Sequence, residues 1–410
     1  MVNAESLLLL VSLTLILCYI SGLLYTKTKI PDIIWLLGLG ILLGPVLGYF
    51  KKETFTSLSP LMGVVAIGII TFDAGINIDT RVLARTFLKS AALTIATFLA
   101  VASTVGYAIN LLLPESFTLL EGMLLGTMVA GISTVAVTSL LDGLQQRILN
   151  LRSTRALLLL ESTLCDPIRI IAAITIIRMI MLPGVPIRES FVDIVYTFVV
   201  ASILGLAFGL TWAEVLAKLY GRPFNYILTI AFLFIAYLFA EAVAGGGGGT
   251  LTAFIFGLVL TNYRYVSKRL GLNRSLKLDK RRIIEFNEEI TFLFKSFYFV
   301  YMGLIVTLSY KYLTIGLIVV AILLAVRYAV ATGVGRFMGF SREEKVISRF
   351  AFTLGTSTIV MSQLPILFDP NQLHFLRPEI YPDLCMPIVL GTIFFASIIG
   401  PKIALKQLIQ

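Results

Sequence analysis

Histidine is all but missing from this sequence: His374 is the single one in 410 residues. Cysteine is scarce too, and Cys18, Cys165 and Cys385 lie too far apart for metal-type spacing. Together these shortages exclude the usual zinc sites and histidine general-base arrangements. Charge is the third shortage, at 14% of residues against 58% hydrophobic ones. So apolar a composition is foreign to soluble domains and demands many spans of the roughly 20 apolar residues that a bilayer requires. The formal net charge of +10 does not mark a nucleic-acid binder, because the basic residues are scattered among short segments between apolar runs. No nucleotide motif or soluble catalytic domain is visible, so the chain reads as a membrane protein that is not an enzyme and uses no cofactor. The apolar run from Leu7 to Leu24 has no basic stretch before it and reads as a retained helix, not a cleaved leader.

What is there is a series of apolar runs bounded by charge or by Pro/Gly clusters. They place spans near 5–25, 31–49, 57–77, 88–113, 117–140, 155–182, 191–216, 225–243, 249–262, 284–308, 312–334, 345–367 and 385–405. The alternative is twelve spans with a re-entrant ninth. Lys and Arg collect on the cytoplasmic side of a membrane protein. Twenty-four of them follow odd-numbered spans, eight of these between Arg264 and Arg282, and only five follow even-numbered ones. This predicts a multi-pass cell-membrane protein with its N-terminus outside and its C-terminus inside, and the clean alternation supports thirteen spans.

The two halves resemble one another. Gly131-Ile132-Ser133-Thr134-Val135-Ala136-Val137 in span five matches Gly355-Thr356-Ser357-Thr358-Ile359-Val360-Met361 in span twelve, and Gly40-Ile41-Leu42-Leu43 in span two matches Gly257-Leu258-Val259-Leu260 in span nine. The offsets are 224 and 217 residues. Seven spans separate the members of each pair, so the copies cross the membrane in opposite directions, which is the inverted repeat of alternating-access transporters. The repeats run over about 31–182 and 249–405 within one transmembrane domain, 1–410.

Gly followed by Ser and Thr weakens a helix at mid-membrane, where freed carbonyls can bind a cation. Gly131, Ser133 and Thr134, with Gly355, Ser357 and Thr358, are therefore candidates for two broken helices that cross. In the competing reading these hydroxyls bond back to their own helices. Span six carries Glu161-Ser162-Thr163-Leu164-Cys165-Asp166-Pro167-Ile168-Arg169, an unusual density of charge for a membrane. Ser162 and Asp166 share a helix face, and Pro167 cannot donate to the Thr163 carbonyl, so a hydroxyl, a carboxylate and a carbonyl converge as ligands suited to a small hard cation. The competing reading pairs Asp166 with Arg169 at i,i+3 and occludes the site. Asp73, in the cytoplasmic part of span three, is a third candidate ligand; its alternative is a solvated helix end. Arg327 in span eleven needs an acidic partner, and Glu161 is the obvious one. The run Gly245 to Gly249 after Glu241 reads as a tight connection or a plain loop without chemistry.

These residues resemble the cation/proton antiporter superfamily, particularly the archaeal and bacterial sodium/proton antiporters of the NhaP type and the eukaryotic sodium/proton exchangers. Phe72-Asp73-Ala74-Gly75-Ile76-Asn77-Ile78-Asp79 is similar to the family's F-[ED]-G-G-[LI]-x-[LIM]-[ND], Glu161 to Asp166 to E-S-x-x-N-D, and Ala244 to Leu260 to its glycine-rich segment. The resemblance implies an all-α polytopic NhaA-like antiporter fold with inverted repeats, spans five and twelve broken and crossing, and a homodimer. It implies that Asp166 binds cation or proton with help from Ser162 and Asp73, and that Glu161 and Arg327 form a core ion pair. There are departures. The family's T-D-P in span five is Ile132-Ser133-Thr134 here, its Asn before the aspartate is Cys165, and its span-twelve arginine is missing from Thr353-Leu354-Gly355-Thr356.

The expected mechanism uses one carboxylate, Asp166, which holds a proton or a cation but not both. Ser133 and the Thr163 carbonyl complete the proposed ligand set. Movement of the core exposes this site to each side in turn, exchanging Na+, or else K+ or Li+, for H+. A non-exchanging channel or sensor of the same fold is the rival, prompted by the missing span-five aspartate.

Overall fold

A computed structural model describes residues 4–28, 32–50, 59–77, 83–133, 137, 140–141, 144, 151–182, 187–222, 225–245, 247–271, 276, 278–307 and 309–409. Among these residues all regular structure is helical. The helices are α1 (Ala4–Thr28), α2 (Asp32–Ile41), α3 (Ser59–Ile76), α4 (Leu83–Leu112), α5 (Leu119–Met128), α6 (Arg152–Met181), α7 (Ile187–Lys218), α8 (Asn225–Ala244) and α9 (Gly248–Thr261). They continue as α10 (Tyr263–Arg269), α11 (Lys280–Ile305), α12 (Tyr310–Phe337), α13 (Arg342–Phe350), α14 (Thr356–Met361), α15 (Leu364–Phe368), α16 (Ile380–Phe394) and α17 (Gly400–Ile409).

Stretches of α4, α7, α8 and α12 are long and apolar enough to cross a bilayer by length and composition. Several other expected spans are interrupted. Span two is α2 followed by a π-turn at Leu42–Val46 that contains Pro45. Span twelve is divided among α13, α14 and α15, and span thirteen among α16, a π-turn at Phe395–Ile399 and α17. Large apolar side chains such as Ile16 and Tyr19 on α1, Ile203 on α7 and Leu238 on α8 are exposed, as lipid-facing positions are.

The chain divides into two compact units, and the division falls within α3, α4, α6 and α11. The first contains residues 1–63, 85–169 and 295–410. Within it α2 lies against α11 at a glycine pair: a Cβ on Gly40 would overlap the Val300 carbonyl oxygen and come within 2.8 Å of the Gly303 Cα. Gly316 on α12 similarly admits Pro387 of α16, whose Cγ would lie 2.7 Å from an added Cβ. Small residues let membrane helices approach this closely.

The second unit contains residues 64–84 and 170–294. Its α7, α8 and α9 pack on one another. Trp212 stacks on Phe232 and donates to the Thr229 hydroxyl at 2.9 Å, tying α7 to α8. Here the glycine contact is between α9 and α3, where a Cβ on Gly257 would overlap the Phe72 carbonyl oxygen and one on Gly75 the Phe254 carbonyl oxygen. Gly40 thus docks span two on span ten in the first unit, and Gly257 docks span nine on span three in the second.

The run Gly245 to Gly249 has a definite task. Gly245 and Gly247 take positive φ of 82° and 87°, which glycine adopts without strain. The turn delivers the amides of Gly247 and Gly249 to the Glu241 carboxylate at 2.7 and 2.9 Å. Glu241 thereby satisfies the otherwise unpaired donors at the start of α9.

Candidate functional site

In the first unit, two helices stop early and their loose ends meet. α5 starts at a capping box in which Thr118 and Glu121 satisfy each other's amides. It ends at Met128; the Val129 amide still donates to the Leu125 carbonyl at 3.1 Å, and Ala130 to Ser133 lie outside helical structure. α13 starts at a second capping box, Ser341 with Glu344, and ends at Phe350. Ala351 to Gly355 are again non-helical until α14 begins at Thr356. The Ser133 amide donates to the Thr353 carbonyl at 2.7 Å, joining the two breaks directly. Gly355 allows this approach, since a Cβ there would lie 2.7 Å from the Ser133 hydroxyl oxygen. Thr134 lies outside the described residues.

α6 passes this junction and contributes Asp166, Cys165 and Arg169. The Arg169 guanidinium is buried, with 1% of its side chain exposed, whereas Asp166 retains 21%. Arg169 Nη2 donates to the Asp166 carboxylate and, at 2.6 Å, to the Ser357 hydroxyl. Its Nη1 donates to the Met128 carbonyl at 2.8 Å and the Thr358 hydroxyl at 3.0 Å. Met128 is the last residue of α5, and Ser357 and Thr358 open α14, so one side chain connects the loose ends of both broken helices to the carboxylate. The i,i+3 pair weighed as the competing reading is therefore present, and it reaches much farther than its own helix. The hydroxyls of Ser357 and Thr358 do not merely bond back to their own turn.

Gly131 acquires a second role here. A Cβ at this position would overlap Cζ and Nε of Arg169, so the glycine provides space for the guanidinium besides marking the helix break. Cys165 is likewise part of the junction: the Ile132 amide donates to its sulfur at 3.5 Å, and the thiol lies 3.7 Å from the Ile132 carbonyl oxygen. Neither contact is legible from spacing along one helix. Ser162 is buried, and its hydroxyl donates to the Leu159 carbonyl at 2.8 Å. Thr163 lies within α6, but its side chain is outside the described residues.

Also in the first unit, Arg327 on α12 holds Glu161 of α6 through both terminal nitrogens, Nη2 at 2.9 Å. Its Nε donates to the Ser348 carbonyl at 2.7 Å, and Nη1 also reaches the Thr97 hydroxyl at 3.1 Å. This buried two-pronged pair ties α4, α6, α12 and α13 together. Asp73 belongs to the second unit. There its carboxylate accepts from the side-chain amides of Asn77 at 3.1 Å and Asn287 at 2.8 Å.

The arrangement of the first unit offers one carboxylate among neutral oxygens and a permanent positive charge, where helices are broken. A family model described as sodium/hydrogen exchanger, transmembrane, matches residues 12–405. Na(+)/H(+) antiporter 1 of Methanocaldococcus jannaschii is 23% identical over 302 residues, 72% of this chain and 68% of that protein. K(+)/H(+) antiporter NhaP2 of Shewanella oneidensis is 30% identical over 245 residues, 58% of this chain, which spans only 40% of that longer protein. Among solved structures, that of the sodium proton antiporter MjNhaP1 from Methanocaldococcus jannaschii at pH 8 superimposes with a TM-score of 0.80 at 19% identity, covering 98% of each chain.

Proposed function

The chain belongs to the family of transmembrane sodium/hydrogen exchangers, and from that membership we propose that it exchanges sodium for protons at Asp166 by alternating access. The observation that carries the site assignment is the linkage of Asp166, through Arg169, to the helix ends that flank both breaks. One carboxylate accommodates a proton or a cation, not both, so occupancy by one expels the other. Ser162, Ser133 and the Thr163 carbonyl are the further ligands of this proposal; Asp73, in the second unit, is held by Asn77 and Asn287. Gly131, Thr134, Gly355, Ser357 and Thr358 keep the two helices broken, and Glu161 with Arg327 holds the core that carries the carboxylate.

Sodium is favoured as the cation because the M. jannaschii relative, similar over most of both chains, is named for it. Potassium is the second reading, supported by the name of the S. oneidensis relative. Proton flux in proteoliposomes, driven by outward gradients of Na+, K+ and Li+ in turn, tests this directly. Cation current without opposed proton movement would instead identify a channel.

The membrane orientation belongs to the same proposal: N-terminus outside, C-terminus inside, in the cell membrane, with repeats over about 31–182 and 249–405. It is supported by the distribution of Lys and Arg. Single cysteines placed between Asn262 and Arg282 should resist an impermeant thiol reagent added to intact cells. The homodimer implied by the family resemblance is checked by the mass of the detergent-solubilised protein.

A further inference from the structure

The carboxylate assigned to the transported ion already has a cation, and that cation is part of the chain. Arg169 cannot shed its charge in a protein. Its donors take the Asp166 carboxylate, the hydroxyls of Ser357 and Thr358 and the Met128 carbonyl. A carboxylate, two hydroxyls and a carbonyl freed at a helix end are the oxygen types that a dehydrated monovalent ion would seek. The side chain is buried within them, Gly131 makes room for it, and its Nε has no partner among the described residues. The last detail matters, because an unsatisfied buried donor destabilises this pose relative to one in which the guanidinium has shifted.

We propose that Arg169 is a tethered occupant of the cation site, competing with the transported ion for Asp166 and thereby setting the affinity of the exchanger for its ion. The inference rests on the reading of Asp166 as the exchange carboxylate. An arriving sodium takes over the carboxylate, while Arg169 keeps its bonds to Ser357, Thr358 and Met128. No charge leaves with the side chain, since the guanidinium remains protonated throughout. Every ion bound must therefore replace an existing charge-assisted hydrogen bond, which weakens apparent affinity. A group that only holds the fold would not have this effect.

The test is a sodium titration of the purified full-length protein, read by its unfolding midpoint in detergent, beside the apparent KM for sodium in proteoliposomes. Arg169→Gln removes the charge and retains an amide donor. Its sodium affinity should tighten by about tenfold or more, and free guanidinium ion should raise the unfolding midpoint of Arg169→Ala but not of the wild type. Unchanged or weaker sodium binding by folded Arg169→Gln protein overturns the proposal. If that variant does not fold, Arg169→Lys is read in its place: a point charge without the fork competes less well, so affinity should tighten by about threefold. No tightening, or failure of both variants to fold, assigns Arg169 to structure alone and overturns the proposal as well. Wild-type vesicles that exchange sodium, with affinity unmoved in the variant, sink this inference and spare the antiport reading. Vesicles that exchange no ion, with tighter binding by the variant in detergent, do the reverse.

Discussion

Gly131 and Arg169 share one space: the side chain that the glycine lacks would stand where the guanidinium lies. The first prediction follows from that contact. Gly131→Ala should destabilise the protein by about 1–3 kcal/mol, the usual range for overpacking a filled interior, and should reduce exchange by displacing the guanidinium from the two broken helices. No positive φ is involved at this position, so space alone decides. Thermal unfolding and sodium flux measure the two effects, and an alanine variant with unaltered stability would contradict the packing described.

Asp166→Asn should abolish exchange, because an amide neither releases a proton nor neutralises an ion. It should also be less stable than a surface substitution would be, since it strands a buried guanidinium; removal of one partner of a buried pair typically costs about 3–5 kcal/mol. Adding Arg169→Gln to it should return part of that stability and none of the transport. A double variant no more stable than Asp166→Asn would show that the pair is not energetically coupled.

The breaks in spans five and twelve were legible because glycine with serine and threonine recurs at one offset, and polar residues are rare enough in lipid for the recurrence to carry weight. The Glu161–Arg327 pairing was legible for the same reason of expense. The destination of Arg169 was not. A spacing of three residues shows that it can meet Asp166 on one helix, but its bonds to Met128, Ser357 and Thr358 depend on how three segments distant in sequence come together. Glu241 illustrates a different blind spot: a carboxylate six and eight residues before the amides it caps is hidden by the turn between them. Hydropathy alone draws span twelve as one apolar run, since it does not register a chain that leaves the helix while staying buried; only the Gly-Thr-Ser-Thr residues mark the break.

The Glu161–Arg327 pair lends itself to a double-mutant cycle. Glu161→Gln and Arg327→Met should each cost about 3–5 kcal/mol, while the double variant should cost less than their sum, since neither charge is then left alone. Arg327 also bonds the Ser348 carbonyl and the Thr97 hydroxyl, so Arg327→Met should be the worse of the single variants. Strict additivity would remove the coupling.

Glu344, at the start of α13, gives the fold a defined response to acid. Burial pushes its carboxyl up, but the Ser153 hydroxyl at 2.5 Å, the Ser341 amide at 2.9 Å and the Lys89 ammonium at 2.9 Å outweigh burial and hold it below its ordinary value. A carboxyl that is more acidic in the folded than in the unfolded chain stabilises the fold above its unfolded value, about 4.3 for Glu, and this contribution is lost as pH falls through the lower, folded value. The gap in unfolding midpoint between wild type and Glu344→Gln should therefore be full near neutral pH and close progressively below about pH 4.3. Lys89→Met removes one of the groups that lower the carboxyl, so in that background the same gap should be smaller and should close at a higher pH. The comparison between paired variants cancels the other carboxylates that titrate in the same range. A gap that stays constant from neutral pH to the bottom of the carboxylate range would mean that Glu344 gains nothing from its three donors, and that its contribution is one of shape alone.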